Sequence, residues 1–193
     1  GNWEVGALLL KRQGVELLVV TQAEPGKGLT ELRQASRAKW GINTLVIGDN
    51  AFAFIEVIRR LQEGAVIALL VDRPSPASAV AVDLFGRPFS ASIAPAELAR
   101  ASGCALFGVT VVRTFEGRYL AELLPEFHYN RKSLGSREAR WQLTRQILRA
   151  FEPRIGQHLD QWFHFVPIWP QAAASQAEVG GRRESAEALT SAP

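Results

Sequence analysis

Hydrophobic and polar positions alternate in two rhythms along this chain, and together they predict interleaved helices and buried strands. Trp3 to Lys11 is apolar nearly all round, the pattern of a buried helix, with Gly14 placed to stop it. Val15 to Thr21 is a β-branched run and predicts a buried strand. A turn-rich loop from Gln22 to Gly28 follows. Leu29, Leu32, Ser36 and Trp40 then share one helical face, ended by Gly41. Asn43 to Ile47 predicts a short strand, and Phe52 to Leu61 a helix stopped at Gly64. Ala65 to Val71 is a continuous apolar strand that runs into Asp72.

Pro74 and Pro76 mark a loop. Val80 to Phe85 predicts an edge strand leading into Gly86-Arg87-Pro88. Ile93 to Ser102 is a helix that tolerates Pro95 in its first turn. Cys104 to Val112 and Arg118 to Leu123 are strands joined by a turn at Glu116-Gly117. Ser136 to Asp160 is a long amphipathic helix with Trp141, Leu148, Phe151, Ile155 and Leu159 on one stripe, kinked or split at Pro153. After Pro170 the periodicity ends, and 171–193 is expected to be a disordered tail. Helices alternating with continuous apolar strands predict an α/β fold: a largely parallel central sheet flanked by helices, as one domain over residues 1–170.

Composition narrows the partners. The 193 residues are 47% hydrophobic, enough for a sizeable core, and carry a formal net charge of +3. That balance suits an anionic partner such as a phospholipid surface, a phosphorylated metabolite or an acidic carrier protein. The arginines are scattered and the charge is modest, so no nucleic-acid partner is expected. A single cysteine, Cys104, excludes an internal disulfide and a cysteine-built metal site. No stretch reaches the roughly 20 apolar residues of a membrane span.

General catalytic motifs are absent. Gly26-Lys27-Gly28 lacks the remainder of a phosphate loop, and neither a dinucleotide fingerprint nor a Gly-x-Ser-x-Gly elbow occurs. His128, His158 and His164 have no metal-ligand spacing, and no metal is expected. Three ionisable residues stand out by position: Glu4 in the first turn of an apolar helix, Arg37 on the flank of an apolar stripe, and Asp72 at the end of a buried strand. Each has an ordinary reading as a helix-dipole carboxylate, a solvated arginine or a loop-capping aspartate. Strand ends of an open α/β sheet are also where ligand crevices form.

Taken in order, Gly1-Asn2-Trp3-Glu4, Ser36-Arg37-Ala38-Lys39-Trp40-Gly41, Leu69-Leu70-Val71-Asp72, Leu84-Phe85-Gly86-Arg87-Pro88 and Leu98-Ala99-Arg100-Ala101-Ser102-Gly103-Cys104 resemble the bacterial lipid A biosynthesis acyltransferase family. That family lies within the wider lysophospholipid acyltransferases. Gln161-Trp162-Phe163 is similar to its terminal Gln-Trp-Phe signature, and the likeness covers about Gly1 to Pro170. The family's dyad motif is His-Phe-Gly-Asn-Trp-Glu. The resemblance therefore implies that Glu4 is the acidic partner of a histidine two residues before Gly1. A chain that holds no methionine and opens inside this motif is expected to be a piece of something longer, inactive by itself.

The resemblance also implies that Arg37 and Asp72 are catalytic, with Arg37 at the oxyanion or on a phosphate. It implies that Asn2, Arg73, Phe85, Gly86 and Arg87 bind substrate. Glu4, Arg37 and Asp72 would converge near the Phe85–Pro88 loop. The implied reaction moves an acyl group from an acyl carrier protein or acyl-CoA thioester to a hydroxyl or amine of a membrane lipid acceptor. That acceptor is a lipid A precursor or a lysophospholipid-like molecule. No cofactor is needed beyond the thioester cosubstrate. The implied location is the cytoplasmic face of the bacterial inner membrane, peripheral or anchored upstream of Gly1. Trp3, Trp40 and Trp162-Phe163-His164-Phe165 would serve as interfacial aromatics, with Arg131 and Lys132 adding charge.

The sequence departs from the family at Val166-Pro167-Ile168-Trp169-Pro170, where an Arg-Trp pair is usual, and at Arg73, where Gln is common. These departures leave phospholipid, glycolipid and aminolipid acceptors open. The competing reading is a non-catalytic α/β module that binds an anionic ligand at Asp72 and Arg87.

Overall fold

The computed structural model describes residues 2–26, 28–47, 51–164 and 168–169. The chain divides into two units at Phe163/His164. The described helices and strands all lie in the first, Gly1–Phe163. The expected tail, 171–193, lies outside the described residues.

A three-stranded parallel sheet forms the centre, as expected for an α/β fold. Strands β1 (Leu17–Gln22), β2 (Asn43–Ile47) and β3 (Val66–Ala68) lie in the order β2-β1-β3. Helix α1 (Trp3–Arg12) precedes β1, α2 (Leu29–Lys39) joins β1 to β2, and α3 (Ala51–Gln62) joins β2 to β3. Ala7 of α1, Leu17 and Val19 of β1 and Ile42 make a buried core, against which Trp3, Leu8, Leu10 and Ala68 pack. The alternation of buried Leu17 and Val19 with half-buried Leu18 and Val20 is the period-two signature of a strand.

Two antiparallel hairpins complete the unit. Strands β4 (Ala79–Leu84) and β5 (Arg87–Ser92) pair through a two-residue turn at Phe85-Gly86. Both turn residues have positive φ, 53° and 71°, the type I′ conformation whose twist matches the strands. Helix α4 (Ala94–Ser102) follows. Strands β6 (Val109–Arg113) and β7 (Tyr119–Leu123) form the second hairpin, before helix α5 (Arg137–Gln157). Ser136 caps α5, its Oγ accepting from the Ala139 amide. Val82, Leu84, Phe89 and Ala91 of the first hairpin are buried, as are Ala96, Leu98 and Ala99 of α4 and Leu143, Ile147 and Leu148 of α5.

Several expected elements shift. The apolar run from Ala65 to Val71 pairs with β1 only over Val66–Ala68. Beyond that the chain leaves the sheet, and the Val71 carbonyl accepts from the Ser92 amide on β5. Val66 is exposed and Ala65 and Ile67–Val71 are half-buried, so the run is not the buried strand expected before Asp72: apolar composition marks neither the burial nor the pairing of this segment. Arg87 and Pro88, expected within the Phe85–Pro88 loop, begin the strand Arg87–Ser92, because Phe85-Gly86 closes a tight hairpin. The strand expected from Cys104 begins only at Val109. Helix α5 runs through Pro153 without splitting. Its buried stripe is Leu143, Thr144, Ile147 and Leu148, while Leu159 lies past its end and is exposed.

The largest departure is in α2. Leu29, Leu32 and Trp40, the expected core face, are exposed, with Leu32 at 66% and Trp40 at 64%. The buried residue of this helix is Arg37.

Candidate functional site: a carboxylate–arginine pair beside the sheet

Asn2 is the N-cap of α1, and its Oδ1 accepts from the Glu4 amide at 3.1 Å. Its side chain therefore serves the helix end, where Asn is among the best caps. The same geometry fixes the first turn, which carries Trp3 and Glu4. The Glu4 carboxylate takes a fork of hydrogen bonds from Arg37. Nη2 donates to Oε1 at 2.7 Å, and Nε donates to Oε2 at 3.0 Å and Oε1 at 3.2 Å. Such bidentate pairing fixes the plane of the carboxylate as well as its charge.

The environment of the pair is asymmetric. The Arg37 side chain is 4% exposed and that of Glu4 is 37% exposed. The guanidinium carbon lies 4.9 Å from the centroid of the Trp3 ring, a cation–π contact that supports the buried charge from one face. Arg37 is thus a buried, paired cation, and the solvated-arginine reading fails. Two of its nitrogens and one of its faces are spent on Glu4 and Trp3. The half-exposed carboxylate is the part of this unit open to an incoming group.

Asp72 and Arg73 follow β3 and lie by the carboxyl end of β1. Gln22, the last residue of β1, donates from Nε2 to the Arg73 carbonyl at 3.2 Å. Trp162 donates from Nε1 to Asp72 Oδ2 at 2.9 Å, and Arg73 donates from Nη2 to the Phe163 carbonyl at 2.7 Å. The Trp162 ring also meets Phe89 of β5 at 5.9 Å between centroids. Just before it, Gln161 plugs the edge of β6. Its Oε1 accepts from the Arg113 amide at 2.7 Å, and its Nε2 donates to the Arg113 carbonyl at 2.9 Å. The Gln-Trp-Phe run therefore ties β6, the turn after β3 and β5 together.

Phe85 and Gly86 form the β4–β5 turn, where Asp83 Oδ1 accepts from the Gly86 amide at 3.3 Å. Beside it is an open concavity of about 530 Å³ lined by Asp83, Phe85, Arg149, Glu152, Pro153 and Gly156. Arg87 begins β5 opposite Leu84. The structure thus brings the expected residues together in three groups: Asn2, Glu4 and Arg37 at the start of α1; Asp72 and Arg73 with Trp162; and Phe85, Gly86 and Arg87 at the hairpin turn. The sequence marks Trp3 only as a neighbour of Glu4 and Gln161 only as part of a signature. The fold gives each a supporting role.

Cys104 is half-buried, and its carbonyl accepts from Tyr129 Oη at 2.6 Å. His128 is exposed, 3.8 Å from Glu126, and His158 caps the C-terminus of α5. Among the described residues no group of three or more His, Cys, Asp or Glu could hold a metal ion. No described helix is long and apolar enough to cross a membrane.

The sequence model of the bacterial lipid A biosynthesis acyltransferases matches residues 1–171. The chain belongs to this family. It is also similar to the phosphatidylinositol mannoside acyltransferases of two Mycobacterium tuberculosis strains, CDC 1551 / Oshkosh and ATCC 25618 / H37Rv. Identity to each is 26% over 172 residues, covering 88% of this chain and 52% of the relative. The chain spans about half the length of these curated relatives. In this acyltransferase-family chain the Asn-Trp-Glu run is the segment that forms the cap, the cation–π platform and the carboxylate. Val166, Pro167 and Pro170 of the departing C-terminal run, and Phe165 of the expected aromatic run, lie outside the described residues.

Proposed function

We propose that this chain carries the acidic half of an acyl-transfer dyad and moves a fatty acyl group from an acyl carrier protein or coenzyme A thioester to a membrane lipid. The observation that carries the reading is the bidentate pair of Glu4 with buried Arg37. A carboxylate that orients an imidazole has to be fixed in plane and reachable from one side. The Arg37 fork supplies the first, and the exposure of Glu4 supplies the second.

With a histidine completing the His-x4-Glu motif, Glu4 accepts the imidazole N–H and selects the tautomer whose other nitrogen is a base. That nitrogen takes the proton of the acceptor hydroxyl. The oxygen attacks the thioester carbonyl carbon, the C–S bond breaks, and the thiolate leaves with the proton returned by the imidazolium. Arg37 acts through Glu4 as a positioning residue, since its Nε and Nη2 are engaged by that carboxylate. Asp72 and Arg73, at the carboxyl end of the sheet, and Arg87 are the candidates to meet the acceptor head group or the phosphopantetheine. The mycobacterial relatives are phosphatidylinositol mannoside acyltransferases, which supports a glycolipid acceptor as readily as a lipid A precursor. The site of action in this reading is the cytoplasmic face of the bacterial inner membrane.

The test is a radiolabelled acyl-transfer assay with a chain that carries the complete motif. Replacing the histidine should cost about 10²–10⁴-fold in turnover, and Glu4→Ala should remove most of the activity. Arg37→Lys, which keeps the charge but not the fork, should lower kcat more than it raises KM. Undiminished transfer by Glu4→Ala would refute the dyad. Anionic-ligand binding without turnover would leave the non-catalytic module as the better reading.

A further inference from the structure

The β6–β7 hairpin carries an aromatic side chain that packing does not explain. Phe115 is fully exposed at the tip. It is not there through disorder of the turn. The Gly117 amide donates to the Thr114 carbonyl at 2.9 Å, and the Thr114 amide donates to the Arg118 carbonyl at 2.7 Å. The Arg118 amide donates to Thr114 Oγ1 at 3.2 Å, and Gly117 has φ of 80°. This is a closed three-residue hairpin loop with a left-handed glycine, and it holds Phe115 at the outermost position.

Arginines flank the aromatic on both sides. A Cβ on Gly117 would meet Arg113 Nη2 at 3.4 Å, so the Arg113 guanidinium lies along the turn. Arg118 is largely exposed, with the Glu116 carboxylate 3.5 Å away. Further down β7, Leu120 and Leu123 are also exposed. The base of the hairpin, by contrast, is anchored. Val111 is buried against Gly6 of α1, the helix that carries Glu4. The Gln161 amide clamps Arg113, next to the Trp162 that holds Asp72.

We propose that this hairpin is a membrane wedge, seating Phe115 in an anionic lipid surface while Arg113 and Arg118 meet the headgroup phosphates. The inference rests on the reading that the acceptor is a membrane lipid. One aromatic between two cations on a narrow turn is a point contact. A stable protein partner needs a patch of roughly 800 Å² per side, whereas a bilayer interface accepts an aromatic at headgroup depth and rewards nearby cations. Of the expected membrane aromatics, Trp3 and Trp162 are half-buried and hold Arg37 and Asp72, while Trp40 and Phe163 are exposed; none of these four lies on the β6–β7 hairpin, so this surface is a further one.

Sedimentation with phosphatidylglycerol and phosphatidylcholine vesicles tests the wedge. Phe115→Ala should lower partition into phosphatidylglycerol vesicles by about tenfold or more, and Phe115→Trp should keep it. Arg113→Gln and Arg118→Gln should each lower it about fivefold at low salt, with little effect on phosphatidylcholine. Thermal unfolding of Phe115→Ala should match the parent. In transfer assays with the chain that carries the complete motif, Phe115→Ala should equal the parent on detergent-dispersed acceptor and fall about tenfold or more on vesicle-embedded acceptor. Parent-like partition of Phe115→Ala, no binding of the parent to phosphatidylglycerol, or a change of oligomeric mass in place of a change in partition overturns the wedge. Phe115-dependent partition in a chain that carries the complete His-x4-Glu motif yet transfers no acyl group supports the wedge and overturns the acyl-transfer reading.

Discussion

The asymmetry of the Glu4–Arg37 pair makes the two single truncations unequal. Glu4→Ala leaves a guanidinium that is 4% exposed with its fork unmet. Stranding a buried charge costs about 3–5 kcal/mol. Arg37→Met lays an unbranched apolar chain of similar reach on the Trp3 ring and strands only a carboxylate that is 37% exposed. Water reaches that group, so the loss falls toward the exposed-pair range of about 1 kcal/mol. At about 2–4 °C per kcal/mol for a domain of this size, Glu4→Ala should lower Tm by about 6–20 °C and Arg37→Met by about 2–4 °C. The double variant should resemble Arg37→Met, because removing the cation also removes the penalty. Calorimetry and urea unfolding of the three variants give the numbers. High salt should leave the Glu4→Ala deficit largely intact, because a buried charge is weakly screened. An Arg37→Met variant as unstable as Glu4→Ala, or a double variant as unstable as the sum of the singles, would refute the account of the pair.

Gln161→Ala should hand the exposed Arg113 amide and carbonyl at the edge of β6 to water and cost about 1 kcal/mol; hydrogen exchange should show the Arg113 amide losing protection, and unchanged exchange there would show that the clamp is not formed in solution. Burial raises the Tyr129 phenol above its ordinary 10.0, first through desolvation and then through Cys104. The fold therefore favours the neutral phenol, and the unfolded chain loses its proton first. Stability from this group should be constant below pH 10.0 and fall as pH rises through the folded-state value. Urea midpoints above pH 10 should fall more steeply for the parent than for Tyr129→Phe.

The sequence by itself determined the order and type of most elements and the family. Periodicity places α1, β1, α2, β2 and α3 to within a residue or two, because local burial patterns and glycine stops are properties of neighbouring residues. Motif order places Glu4 on α1 and Arg37 on α2, where the structure has them, whereas Asp72, expected to close a strand, lies in a bend beyond the end of β3 at Ala68. Three matters were decided only by tertiary structure. The apolar run from Ala65 to Val71 is part strand and part crossing segment, a choice made by which backbone groups lie opposite, the Ser92 amide in the case of Val71. Helix α2 buries its arginine and exposes Leu32 and Trp40 because a carboxylate and an indole, thirty-odd residues away in sequence, meet the guanidinium. No hydropathy pattern encodes that exchange, since the value of a buried charge depends wholly on its partner. Gln161 likewise becomes a clamp only when the β6 edge arrives beside it, because a side-chain amide can stand in for a strand only at an unpaired edge.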